Sequence, residues 1–265
     1  MGSEIRKEFG MTRIIAITNQ KGGVGKTTTA INLSAAIAKK GQRVLLVDLD
    51  SQGNATSGLG IARKKEMLSS YDVLMKDASL TEAVVPTRID SLLVLPSNLK
   101  LAGAEVELVE EEEREYRLKN VLKGAVDGYD FVLIDCPPSL GLLTLNALTA
   151  SDAILVPIQC EYFALEGLSQ LMNTVKLVRR TLNPRLDIQG VVLTMFSGRM
   201  NLCVQVVEEV KHYFKHKVYD TIIPRSIRMS EAPSHGLPIC LYDPRNIGTK
   251  AYDALADEFL KREGK

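Results

Sequence analysis

Short, nearly unbroken apolar runs recur along the chain, and most give way to a helical pattern. Ile14 to Thr18, Arg43 to Asp50, Leu92 to Leu95, Phe131 to Asp135, Ala153 to Pro157, Asp187 to Thr194 and Tyr219 to Ile223 are such runs. Runs of this length, rich in β-branched and aliphatic residues and without strict alternation, read as strands buried on both faces. Between them the apolar period lengthens. Lys26 to Lys40 places Ile31, Ser34, Ala35 and Ala38 along one side with Leu33 and Ile37 beside them, and ends in Lys39, Lys40 and Gly41. Basic residues suit the negative end of a helix, and glycine its termination. Leu165 to Leu182, Asn201 to Phe214 and the closing Ala251 to Leu260 are further helical stretches.

Strands alternating with helices predict an α/β fold, a doubly wound, mostly parallel sheet with helices on both faces. Residues 60 to 90 read as a poorly patterned connection. A helical region carrying Glu105, Glu107, Glu110, Glu111, Glu112, Glu113 and Glu115 reads as a solvated face rather than a surface for a basic partner. No repeat, low-complexity tract or interdomain linker interrupts the pattern. A single domain over residues 13–265 is expected, preceded by an N-terminal extension, residues 1–12, within which Met11 is itself a reasonable start.

Composition narrows the class. Hydrophobic residues make up 45% of the 265 and charged residues 25%, the balance of an ordinary globular protein. No apolar run approaches the roughly 18 residues of a membrane span. The first residues, with Glu4, Arg6, Lys7 and Glu8, have no signal-peptide core, so the expected location is cytoplasmic. Cys136, Cys160, Cys203 and Cys240 are widely spaced and form no C-x-x-C pair, which argues against a zinc site or a disulfide framework. His212 and His216 share a helix face without the glutamate of a metalloprotease signature. The net charge of +1 predicts no global attraction to nucleic acid. Eleven Lys or Arg against six Asp or Glu between residues 179 and 250 nonetheless permit a basic face on the C-terminal half.

The chemistry is concentrated after the first strand, in Gln20-Lys21-Gly22-Gly23-Val24-Gly25-Lys26-Thr27-Thr28. Strand, glycine loop and helix are the context of a phosphate-binding loop. Glycines at 22, 23 and 25 let the backbone take positive φ and bring its N–H groups close to a phosphate. The helix that follows presents its unpaired N–H groups to the same anion. Lys26 reaches the β and γ phosphates and Thr27 is placed to ligate Mg²⁺. The general G-x-x-x-x-G-K-[ST] pattern has glycine where Gln20 stands, and Lys21 follows directly. Two more strands end in aspartates, Asp48 and Asp50 on one and Asp135 on the other, at the sheet end that borders the ligand crevice. Four apolar residues closing on Asp135 have the form of a Walker B strand, which holds Mg²⁺ through water. Pro137-Pro138 stiffens the turn that follows.

Lys21-Gly22-Gly23-Val24-Gly25-Lys26-Thr27 resembles the deviant Walker A motif of the ParA/MinD group of ATPases. Asp48-Leu49-Asp50-Ser51-Gln52-Gly53-Asn54, Asp135-Cys136-Pro137-Pro138-Ser139-Leu140, and Ile223-Pro224-Arg225 to Glu231-Ala232-Pro233-Ser234 are similar to its ParA/Soj-type partition branch, over nearly the whole chain from Ile14. The resemblance implies ATP and Mg²⁺ as cofactors, and no guanine-reading Asn/Thr-Lys-x-Asp tetrapeptide is present. It implies that Lys21 crosses a homodimer interface to the partner's nucleotide, that Asp50 orients or activates the attacking water, and that Asp48 supports the metal shell. Phosphate binding falls on residues 21–28, including Val24 and Thr28, with adenine near Pro224 and Ser226. Arg199 and Arg228 match arginines that contact DNA. The implied function is DNA segregation, with an ATP-dependent dimer on non-specific double-stranded DNA and slow hydrolysis stimulated by a ParB-type centromere-binding protein. Two alternatives stand beside it. A MinD-like membrane-positioning ATPase requires a detachable amphipathic C-terminal helix, and Ala254 to Lys265 offers few bulky residues for one. A component like the nitrogenase iron protein would use Cys136.

Overall fold

The computed structural model describes residues 11–62, 64, 66–161, 166–198 and 200–265. Among them seven strands form one sheet: β1 Arg13–Ile17, β2 Val44–Asp48, β3 Val85–Pro86, β4 Leu92–Leu95, β5 Phe131–Asp135, β6 Ala153–Gln159 and β7 Asp187–Thr194. Their order is β3-β4-β2-β5-β1-β6-β7, and every pairing is parallel except that of β3 with β4. The helices are α1 Lys26–Lys39, α2 Asn54–Gly58, α3 Ser70–Leu74, α4 Leu80–Ala83, α5 Leu101–Glu107, α6 Arg117–Leu122, α7 Leu142–Ala150, α8 Glu166–Thr181, α9 Asn201–Phe214, α10 Ile227–Glu231, α11 Ile239–Tyr242 and α12 Ile247–Arg262.

The unbroken apolar runs are explained by two cores, one on each face. Ile15 and Ile17 of β1, Val44 and Leu46 of β2, and Phe131 and Leu133 of β5 pack with α1 and α12 on one side. Ala16, Leu45, Val47, Val132 and Ile134 point the other way, into a core shared with α6, α7, α8 and α9. Side chains alternate across a strand, so a strand covered on both faces must be apolar at every position. All four cysteines are free and buried in these cores.

Several boundaries differ from the sequence reading. The expected strand Tyr219 to Ile223 does not form; isolated bridges flank it, Val218 with Val191 of β7 and Pro224 with Phe196. Tyr219 and Ile223 still donate to β7 carbonyls, at 2.9 and 2.8 Å. Between them, however, the N–H groups of Asp220 and Thr221 are taken by the Glu258 carboxylate of α12, both at 3.0 Å. The side chain takes the Thr221 N–H that a ladder with β7 would have used, and the strand is not completed. The closing helix starts earlier than Ala251, because Asn246 caps it by accepting from the Gly248 N–H at 2.9 Å. The acidic helix stops at Glu107 and continues as 3₁₀ turns around Glu113, whose φ is +52°. The connection over 60–90 contains α3 and α4. Each is entered through a serine whose N–H donates to the carboxylate three residues on, Ser69 to Asp72 at 2.8 Å and Ser79 to Glu82 at 2.9 Å.

Candidate nucleotide site

β1 lies between β5 and β6; α1 carries the chain from β1 back to β2 over one face while α7 carries it from β5 on to β6 over the other, so the carboxyl end of β1 opens into the crevice where the strand order reverses. Residues 18–25 fill this crevice. Gly23 (φ +76°) and Gly25 (φ +90°) take left-handed conformations, whereas Gly22 does not and a Cβ there would meet nothing within 4 Å. The expectation of positive φ thus holds for two of the three glycines. Gly25 caps α1 without a side-chain hydrogen bond, and the first turn carries no acidic residue. Its leading N–H groups are left for an anion.

Lys26 is 7% exposed and its ammonium donates to the Lys21 carbonyl at 3.0 Å, bridging the loop. Burial lowers its pKa, and the nearby Asp135, Cys136 and Asp50 oppose that shift. Gly22, Gly23, Gly25, Lys26, Thr27, Thr28, Asp50, Gln52, Asn54, Pro138 and Met195 line a hollow of about 390 Å³. The phosphate-loop residues and Asp50, predicted from separate motifs, therefore share one chamber. A second hollow of about 260 Å³ adjoins it through Gly25, Thr28 and Met195, and is lined by Pro224, Ser226, Ile223, Met229 and Tyr252 among others. Pro224 and Ser226, the residues expected near adenine, both line this second hollow. The Ser226 hydroxyl bonds to Asn246 Oδ1 at 3.0 Å, tying this wall to the start of α12.

The two aspartate-bearing strands converge. Asp48 and Asp135 are register partners on β2 and β5, and both are fully buried. Asp48 Oδ1 accepts from the Asp50 N–H at 3.1 Å, and Oδ2 accepts from the Thr56 N–H at 2.8 Å and hydroxyl at 2.7 Å. Both of its oxygens are thus committed to holding the loop that carries Asp50. The Asp135 oxygens are in no well-formed hydrogen bond, although the Thr27 hydroxyl lies beside them. Burial raises the pKa of Asp135 well above the carboxylate range and Asp48 adds to it, while Thr27 and Lys26 pull it down. Cys136 is 1% exposed, and burial, then Asp135, push its thiol far up. It is a core residue here, without thiolate character.

Arg228 lies on α10, exposed, with Glu231 at 3.2 Å and the Tyr242 hydroxyl at 3.3 Å. Arg199 lies outside the described residues. Sequence reasoning missed Thr56, Glu161, Met195 and Tyr252. Met195 alone carried a local oddity, a non-glycine φ of +53° between the two hollows, and that is invisible in sequence.

A family model described as an AAA domain matches residues 12–188. The chain also superposes with TM-score 0.85 and 38% identity on the structure of cobyrinic acid a,c-diamide synthase from Mycobacterium smegmatis with bound ADP and magnesium, covering 96% of each chain. Taken with the chamber of Lys26, Thr27 and Asp50, these matches define a P-loop nucleotide hydrolase. Over 248 residues the chain is 59% identical to the sporulation initiation inhibitor protein Soj of Bacillus subtilis, spanning 94% of this chain and 98% of that protein. It is 54% identical over 251 residues to the chromosome partitioning protein ParA of Myxococcus xanthus, spanning 95% and 89%. The chain belongs to the ParA/Soj family of chromosome-partitioning ATPases.

Proposed function

We propose that this chain is an ATP-dependent DNA-segregation protein. ATP and Mg²⁺ bring two copies together, the dimer binds double-stranded DNA without sequence preference on the nucleoid, and slow hydrolysis stimulated by a ParB-type centromere-binding protein releases it. The observation that carries this reading is the pair of adjoining hollows, one framed by Gly23, Gly25, Lys26 and Asp50, the other by Pro224 and Ser226. Their linings suit a triphosphate and a base respectively.

The residues present suit the cofactors. Two left-handed glycines and an uncapped helix start make a cradle for phosphate oxygens. The buried, unpartnered Asp135 carboxylate beside the Thr27 hydroxyl is the donor set that a hydrated Mg²⁺ takes. Bound Mg²⁺ supplies charge neutralisation for phosphoryl transfer. In this reading Lys26 adds a fixed positive charge, Asp50 orients water, Asp48 supports the metal shell from behind by fixing the Asp50 loop, and Lys21 reaches the nucleotide of a second copy. Arg199 and Arg228 supply phosphate contacts to DNA, doubled on dimerisation. The MinD-like alternative is disfavoured by α12, whose Tyr252, Leu255, Ala256 and Phe259 are buried in the core it shares with α1.

The test is DNA binding by the pure protein with ATP, ADP or no nucleotide over a salt series, with Asp50→Ala and Arg199→Glu variants. Binding only with ATP, weakened by salt, kept in Asp50→Ala and lost in Arg199→Glu is the expected result. Absence of binding under every nucleotide removes the DNA role.

A further inference from the structure

Lys21 does not use its ammonium in its own phosphate chamber. Its side chain is absent from the lining of that hollow and is ion-paired with Glu161 instead. The backbone beneath it is held on both sides. The Lys21 N–H donates to Asn19 Oδ1 at 3.1 Å, Asn19 Nδ2 donates to the Pro157 carbonyl of β6 at 2.8 Å, and the Lys21 carbonyl accepts from Lys26 at 3.0 Å. With its carbonyl committed to Lys26 and the loop tethered to β6, the side chain meets the residues that follow β6. Glu161 is held there by its own N–H, which donates to the Gln159 carbonyl at 2.9 Å. The two side chains are 32% and 37% exposed, so the pair is reachable by another anion without unfolding.

We propose that Glu161 is a positioning residue that parks Lys21 in the single chain, and that assembly of two copies exchanges this carboxylate for the phosphates bound to the second copy. This rests on the reading that ATP-bound copies pair. One carboxylate offers a single charge and a nucleoside triphosphate several, so the ammonium leaves Glu161 only for a triphosphate-loaded partner. Glu161 thereby raises the concentration of nucleotide-bound protein needed for pairing. A partly exposed ion pair of this kind shifts an equilibrium by about two- to five-fold.

The experiment measures the dimer dissociation constant by sedimentation of the full chain with Mg²⁺ and a non-hydrolysable ATP analogue, for wild type, Glu161→Gln, Lys21→Ala and the double variant. Glu161→Asp serves as the charge-conserving control, and thermal melting checks that each variant folds. Glu161→Gln is expected to tighten dimerisation by about two- to five-fold, Glu161→Asp to leave it near wild type, and the double variant to match Lys21→Ala. A merely structural role for Glu161 would shift both backgrounds equally, which overturns the proposal, as does a weaker Glu161→Gln dimer. A wild-type chain that fails to dimerise with any nucleotide overturns the pairing reading itself and the proposal with it.

Discussion

Asp48 and Asp135 face each other across adjacent parallel strands, fully buried, yet only Asp48 has its oxygens satisfied by the chain. Burial opposes the ionisation of both carboxyls, and the neighbouring Asp48 opposes that of Asp135 further. The fold therefore keeps two buried carboxyls side by side near Lys26, an arrangement that a bound cation relieves.

Replacing the unsatisfied member separates stability from activity. Asp135→Asn removes a carboxyl whose ionisation is opposed in the folded chain and free in the unfolded one, so in nucleotide-free, metal-free buffer at neutral pH the urea midpoint rises. Mg²⁺-dependent ATP hydrolysis falls by about 10- to 100-fold, as for loss of an outer metal partner. Parallel urea and phosphate-release measurements check both directions.

The loop glycines are unequal. Gly25→Ala forces a side chain into φ +90° and costs about 1–2 kcal/mol, with loss of nucleotide affinity by calorimetry. Gly22→Ala has no positive φ to satisfy and open space around the new methyl, so its unfolding free energy stays within about 0.5 kcal/mol of wild type.

Asp130 links the entry of β5 to Arg43 and to Lys265. Partial burial works against its ionised form, but the Arg43 N–H at 2.8 Å, the Arg43 guanidinium and the Lys265 ammonium at 3.2 Å outweigh it and hold the pKa down. A depressed carboxylate pKa contributes stability that is complete above the unfolded value and lost as pH falls through the folded one. Asp130→Asn is expected to lower the unfolding free energy at pH 7 by no more than about 1 kcal/mol, because solvent screens these groups. The gap, followed by urea titration, closes as the pH falls below about 4, the ordinary carboxylate value, and through the lower folded one. A gap that is independent of pH would show that the residue acts through packing.

Arg228 is held by Glu231 and lies 5.8 Å from the Tyr242 ring centre. If it contacts DNA phosphates, Glu231 competes with them. Glu231→Gln is expected to strengthen ATP-dependent DNA retention by a few-fold, the scale of an exposed ion pair. Arg228→Ala weakens retention and lowers the salt slope by about one for each phosphate that is no longer neutralised. Unchanged retention in Arg228→Ala would move the DNA surface elsewhere.

The sequence by itself determined the strand-loop-helix at residues 14–39, the sheet's helix-covered faces and the aspartates that end β2 and β5. These are local matters: glycine spacing, the run of apolar residues a doubly covered strand requires, and the acidic residue that stops it. What lies side by side was decided by tertiary structure alone. That Asp48 is register partner to Asp135, that Glu161 meets Lys21, and that Met195 and Tyr252 wall the second hollow depend on strand order and on segments far apart in the chain. Even the lost strand at Tyr219 to Ile223 follows this rule. Its residues suit a strand, but a carboxylate from α12 took the Thr221 N–H that the ladder with β7 would have used, and the Asp220 N–H beside it. Periodicity records which face a side chain turns to. It carries no record of which partner waits there.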